Sequence, residues 1–230
     1  AAGQVPSDIA IVGVNQVVTP QAPAAAFLAG EGITRWSDLS GRQIGIHSTT
    51  SINAASFAAR AKAEGVTDFD FVVIGFSDMG LAVRDGTVAG AVMEEPWTTQ
   101  SLLRGDGQVL GWTQGEPPLE RVPLTAIAVR AELLGRPEVL ARFLRAHLEA
   151  VRFIRDNPAE ARQLFVANLG VSSEVAAALH LKEWPLDARL DMAGVLEFQQ
   201  ILDAAGAATP PVDPATFYTP GPLDTVLGEG

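Results

Sequence analysis

The chain has 230 residues, 47% of them hydrophobic and 19% charged, which is enough apolar material to bury a core in one compact domain or two small lobes and is not the profile of a disordered chain. Its 27 acidic residues against 16 basic ones leave a formal net charge of -11, which argues against nucleic acid as a partner, because phosphate recognition draws on clustered Lys and Arg. With no cysteine there is no thiolate nucleophile or cysteine zinc site, and no run of about 18 uncharged apolar residues is present to span a bilayer.

In chain order, residues 9–14 read as a buried strand, 24–29 as a second and 43–46 as a third. A helix over 51–64 follows, ended by Gly65. Next come a strand at 69–74, a helix over 78–84 capped by Ser77 and stopped before Gly86, and a strand at 88–93. Pro96 suits the first turn of a helix reaching Arg104, and 108–112 reads as one more strand. Strands separated by helices predict an α/β fold with βαβ units and a parallel sheet covered on both faces.

After a strand at 124–130 the chain turns helical. Over 137–156, Leu140, Phe143, Leu144, Leu148, Val151 and Ile154 keep a helical period, with Arg142, Arg145, Glu149, Arg152 and Arg155 on the other side, so this segment predicts an amphipathic, core-facing helix. Asn157 with Pro158 starts another that ends at Gly170, Ser172 caps the next, and 191–205 forms a last helix before Gly206. The tail from Ala207 is rich in Pro, Gly and Thr and reads as an extended strap or a loose end.

Candidate chemistry sits where strands hand over to helices. The stretch Gly41-Arg42-Gln43-Ile44-Gly45-Ile46 ends in His47, Ser48, Thr49, Thr50 and Ser51, which open an alanine-rich helix. Ligands of open α/β sheets bind beyond the carboxyl ends of strands, and a helix start there offers free N–H groups with a partial positive charge. Hydroxyls at that place suit a carboxylate, sulfonate, phosphate or carbonyl oxygen. The alternative, which spacing alone favours, is that one hydroxyl caps the helix and the others meet solvent.

Glu94-Glu95-Pro96-Trp97 marks a second such junction: Glu95 can accept from a ligand amine or amide and Trp97 can stack on a flat ligand, or the two can cap the helix and pack inward. Asn15 and Gln16 end the first strand, and Phe76, Ser77 and Asp78 end another, as turns or as crevice groups. Four strand ends in succession thus carry polar, non-glycine residues, and in a parallel sheet such ends share one edge. The three histidines, His47, His147 and His180, make no zinc motif, and neither a nucleophile elbow nor a phosphate loop nor a dinucleotide fingerprint occurs. His147 and His180 read as structural, and Glu183-Trp184-Pro185 as a loop anchored to the core. No catalytic residue, metal or cofactor is expected.

The succession Trp36-Ser37-Asp38-Leu39, the strand ending Ile44-Gly45-Ile46, the stretch Val88-Ala89-Gly90-Ala91-Val92-Met93-Glu94-Glu95-Pro96-Trp97 and a long helix ending Arg155-Asp156-Asn157-Pro158-Ala159-Glu160-Ala161 resembles the sulfonate, nitrate and thiamine-pyrimidine group of periplasmic binding proteins, over about residues 7–206. The resemblance implies a two-lobed type II periplasmic-binding fold of three-layer α/β lobes with a hinge, lobe 2 being residues 31–123 and lobe 1 being 1–30 with 124–230. By the same resemblance the protein is the extracytoplasmic substrate-binding component of an ABC importer. It would be a periplasmic or extracellular monomer, with a membrane tether left open, that binds a small polar or anionic organic molecule and meets a membrane permease.

The family's usual contacts correspond to His47, Ser48, Thr49, Thr50 and Ser51, to Glu95, Pro96 and Trp97, and to the strand ending in Asn15; Phe76 joins them from its strand end. Relatives begin with a strand, a helix and a strand before the segment matching residues 8–14, so lobe 1 is expected to be incomplete in this sequence, as a portion of a longer chain or, as the alternative, a cut-down relative. The alternative is an enzyme on the same fold, since relatives synthesise a thiamine pyrimidine, act in menaquinone assembly or remove sulfinate. A sensing domain of a regulator would normally carry a helix-turn-helix, which the chain does not show. Hydroxyls at a helix start favour an anion or carbonyl, Glu94 and Glu95 an amine or amide, and the two together a polar heterocycle or a zwitterion.

Overall fold

The computed structural model describes residues 8–206 and 212–228, which form two α/β bodies joined by two crossing segments. In the first body, β2 (Ala24–Ala29), β3 (Arg42–Ile46), β4 (Phe69–Val73), β5 (Gly90–Met93) and β6 (Gln108–Gln114) make a sheet of order β4-β3-β5-β2-β6. Helices α1 (Ile52–Ala63), α2 (Phe76–Arg84) and α3 (Trp97–Arg104) connect and cover its strands. In the second body, β1 (Ile9–Val18) pairs antiparallel with β7 (Val122–Arg130) and packs against α4 (Pro137–Asp156) and α8 (Gly221–Leu227). The remaining helices are α5 (Pro158–Leu169), α6 (Ser173–Ala178) and α7 (Met192–Ala204).

The larger sheet is mixed, where the alternation of strands and helices predicts a parallel one. β3 runs parallel to β4 and β5, whereas β2 runs antiparallel to β5 and β6. No helix of its own returns β2 in the common sense: it enters from the crossing turn after Pro23 and slots between two strands that α3 connects. All six of its residues are buried, as a central strand requires, and a Cβ at Gly90 of β5 would strike the Phe27 ring beside it. β2, at residues 24–29, belongs to this sheet, and the chain passes between the two sheets through residues 19–23 and 115–121.

The strand expected at 9–14 continues to Val18, because the backbone from Gln16 to Val18 pairs with Thr125, Pro123 and Val122 through register irregularities. The helix expected to start after Ser77 starts at Phe76, since Gly75 already accepts from the Asp78 and Met79 amides at 2.9 and 3.2 Å. The tail is not a loose strap in its described part: it holds a 3₁₀ turn, Pro214–Thr216, and then α8, whose Leu223 is fully buried. Residues 207–211, where the strap was expected to begin, lie outside the described residues.

Three of the packing centres among the described residues position the two bodies and the crossing. Phe27, Trp36 and Phe57 meet at ring-centroid distances of 5.3 to 6.0 Å in the first body. Trp36 and Leu39 reach that core because the Asp38 carboxylate accepts from the amides of Thr34 and Arg35 and from the Arg35 guanidinium, which lock a 3₁₀ turn and hold the acid at about 2. Val12, Ile127, Leu144 and Leu148 centre the second body. The third, Val18, Ala24, Leu119 and Val122 with Phe198, Ile201 and Leu202 of α7, lies where the chain crosses between bodies. Burying each large side chain stabilises by about 1.5 to 3 kcal/mol, so α7 acts as a brace over the crossing.

Candidate functional site

Since β3, β4 and β5 are parallel neighbours, the residues that follow them emerge along one edge of the larger sheet. His47 follows β3, Phe76 opens the helix after β4, and Trp97 opens the helix after β5. Their rings form one stack: His47 and Phe76 lie 4.6 Å apart at 25°, and Phe76 and Trp97 lie 4.9 Å apart at 15°. Three candidates from distant parts of the sequence therefore come together. The Nδ1 atom of His47 is buried and has no hydrogen-bond partner among the described residues.

The hydroxyl loop behaves differently. The Ser51 hydroxyl donates to the Ser48 carbonyl at 2.7 Å and accepts from the Ala54 amide at 3.2 Å, which makes Ser51 the cap of α1. Ser48 and Thr50 hydroxyls pair at 3.1 Å, and the Thr50 amide donates to the Ser48 hydroxyl. Thr49 and Thr50 are exposed and, with Ser51, line a groove of about 530 Å³ whose far wall is Phe198, Gln199 and Leu202 of α7. This groove is separate from the aromatic stack.

Glu95 takes three hydrogen bonds within the protein. Its carboxylate accepts from the Thr99 amide at 3.2 Å and hydroxyl at 2.9 Å, capping α3, and from the amide of His180 at 3.2 Å. Asn15 does not end its strand. It lies inside β1 and its amide donates across to the Thr125 hydroxyl at 3.3 Å, so the edge defined by three parallel strands does not include it.

What faces that edge is the segment after α6, residues 179–188. Its backbone is stitched to β1, with the Val17 amide donating to the Glu183 carbonyl at 3.0 Å and the Val14 amide to that of Ala188 at 2.7 Å. Its other side grips the larger sheet. The Lys182 ammonium meets Glu94 at 2.6 Å with only 18% and 17% of the two side chains exposed, and the His180 ring lies 4.8 Å from that of Trp112. Glu183 takes a hydrogen bond at 3.0 Å from Thr19 in the crossing segment. His180 Nε2 is enclosed without a partner among the described residues.

Between this segment, Gln16 of β1, the Glu95-Pro96 junction and α5 lies a cleft of about 280 Å³, near the lower bound for small-molecule sites. Six of its ten lining residues are apolar: Pro96, Phe165, Leu169, Leu179, Leu181 and Trp184. His180, read from sequence as structural, and Trp184, read as a loop anchor, both line it, as does Lys182. One signal was available: Lys182 is one of two lysines in the chain. His147 lies far from this cleft on α4, where burial holds it below the usual histidine range. Among the described residues no group of acidic and histidine side chains could hold a metal ion, and no helix is long and apolar enough to cross a membrane.

A family model described as the NMT1-like family matches residues 14–169. The chain matches no curated protein in sequence. Among solved structures it is similar to the periplasmic aliphatic sulphonate binding protein SsuA from Escherichia coli, at 17% identity and a TM-score of 0.71, covering 93% of this chain and 70% of that one. It is similar to the zinc-bound ligand binding component of an ABC-type import system from Staphylococcus aureus, at 14% identity and a TM-score of 0.74, covering 96% and 75%. A mutant of DszB in complex with biphenyl-2-sulfinic acid matches at 17% identity and a TM-score of 0.72, covering 100% and 82%. These likenesses show a mixed α/β fold of the two-lobed periplasmic-binding type.

Proposed function

The chain belongs to the NMT1-like family, and from that premise we propose that it is a solute receptor of the kind that serves an ABC importer. A small organic molecule enters between the two bodies, is held without any bond being made or broken, and leaves unchanged for a membrane permease. In this reading the two bodies are the lobes, the segments 19–23 and 115–121 are the hinge, and the protein works outside the cytoplasmic membrane as a monomer. The observation that supports it most is the cleft itself: its walls come from both bodies, at the carboxyl edge of the larger sheet, so closing the lobes strips water from whatever lies inside. The aromatic stack of His47, Phe76 and Trp97 stands along the same sheet edge, outside the residues that line the cleft.

Native mass spectrometry of freshly purified protein tests the reading. One small molecule per chain, recovered with its mass unchanged after incubation, is the expected result. Conversion of that compound into another by the purified protein would place the chain among enzymes on the same fold instead.

A further inference from the structure

The charged groups around the cleft already have partners, and this decides what the cleft can hold. Lys182 is its one cationic lining residue and is bound by Glu94 at 2.6 Å in a setting that is largely shielded from water. An anionic ligand would have to compete with Glu94 for that ammonium, and it would do so next to a second carboxylate, Glu95. Glu95 in turn takes three hydrogen bonds from Thr99 and His180, so a ligand cation would have to share a carboxylate that already holds the start of α3 and the backbone of His180. The polar lining groups with no partner among the described residues are His180 Nε2 and the side-chain amide of Gln16, and of the two only the amide both donates and accepts through one fixed group. Trp184, Phe165, Leu169 and Leu181 line the same cleft.

From this we infer that the cleft takes an uncharged, ring-bearing molecule with one amide-like or hydroxyl group directed at Gln16, and that the Lys182–Glu94 pair excludes sulfonates and other strong anions. The inference rests on the solute-receptor reading and narrows it to a ligand class. It sets this chain apart from the sulfonate that its neighbour's name implies, because there the ligand carries the charge that here the protein has already neutralised within itself.

Two probes with the same ring separate the possibilities: benzamide, which is neutral, and benzenesulfonate. Titration calorimetry on the intact chain should show benzamide binding at least about ten-fold more tightly than benzenesulfonate. Gln16→Leu, which keeps the bulk of the side chain and removes its hydrogen bonds, should weaken benzamide about ten-fold. Glu94→Gln frees the Lys182 ammonium and should raise benzenesulfonate affinity at least about ten-fold while moving benzamide little. Benzenesulfonate binding as well as benzamide to the unaltered chain would overturn the inference, as would binding of neither probe or an unchanged preference in Glu94→Gln. The comparison on the unaltered chain depends on no variant folding. An anion found by native mass spectrometry would also sink the ligand class while leaving the receptor reading in place.

Discussion

Two regions near the carboxyl edge of the larger sheet are built on opposite plans. In the loop after β3, the partners of Ser48, Thr50 and Ser51 are two or three residues away along the chain. In the segment after α6, the partners are 85 residues away for His180, 88 for Lys182 and 164 for Glu183. The first region is a self-contained cap, in which these hydrogen bonds all fall within residues 48–54. The second exists only when both bodies are folded and docked. The comparison teaches that the residues with the clearest local motif hold their own loop together, while residues with no motif hold the molecule together.

The largest effect that would break this contrast comes from Lys182→Met. It leaves the Glu94 carboxylate mostly buried without its cation, and should cost about 2 kcal/mol in urea unfolding, less than a fully buried pair would because both side chains keep some exposure. Pairing it with Glu94→Gln should recover most of the loss. A single variant as stable as the parent would mean the pair is not a tie between bodies.

Glu95→Gln ranks next. Three donors converge on this carboxylate, so an amide NH₂ turned toward any of them should cost about 1 to 2 kcal/mol, split between the α3 cap and the tie to His180. Thr99→Val, which touches only the cap, separates the two shares, and an equal loss in both variants would remove the His180 contact from the account.

Asp38 probes a local turn by pH. Its acid is held at about 2, first by the Arg35 side chain and then by the Thr34 amide, against an ordinary 3.8. A depressed value means the contribution is complete above the ordinary value and fades as pH falls from about 4 toward 2, so part of the acid destabilisation in that window should vanish in Asp38→Asn. The smallest effect belongs to Thr49→Ala with Thr50→Ala. Both residues are exposed, and the stability obtained from thermal melting should fall by no more than about 0.5 kcal/mol. A larger loss would show that this loop supports more than its own turn.

Legibility followed the same division. The helix from Pro137 was readable because its apolar spacing is a property of one element, and the junctions at His47, Phe76 and Trp97 were readable because a strand giving way to a helix announces itself locally. The mixed sheet was not readable, since the direction of β2 depends on which strands it slides between. Asn15 was placed at a strand end because nothing in the sequence reports that Gln16 to Val18 would find partners on β7. His180, Lys182 and Trp184 alternate along one short segment, but nothing local reports that Gln16, far earlier in the chain, docks beside them.

The pairing of β1 with β7 also bears on how the chain reaches its native state. Asn15 and Thr125 face each other from positions 110 residues apart, and the stretch between them contains every strand of the larger sheet. That larger body is a continuous insert, so its contacts close short loops, whereas the β1–β7 ladder must wait for the insert to bring its two ends together. Refolding should therefore be ordered: pulse-labelled amides of β3 and β5 should gain protection from exchange before those of β1 and β7. Simultaneous protection of both sheets would mean that the two bodies condense as one nucleus.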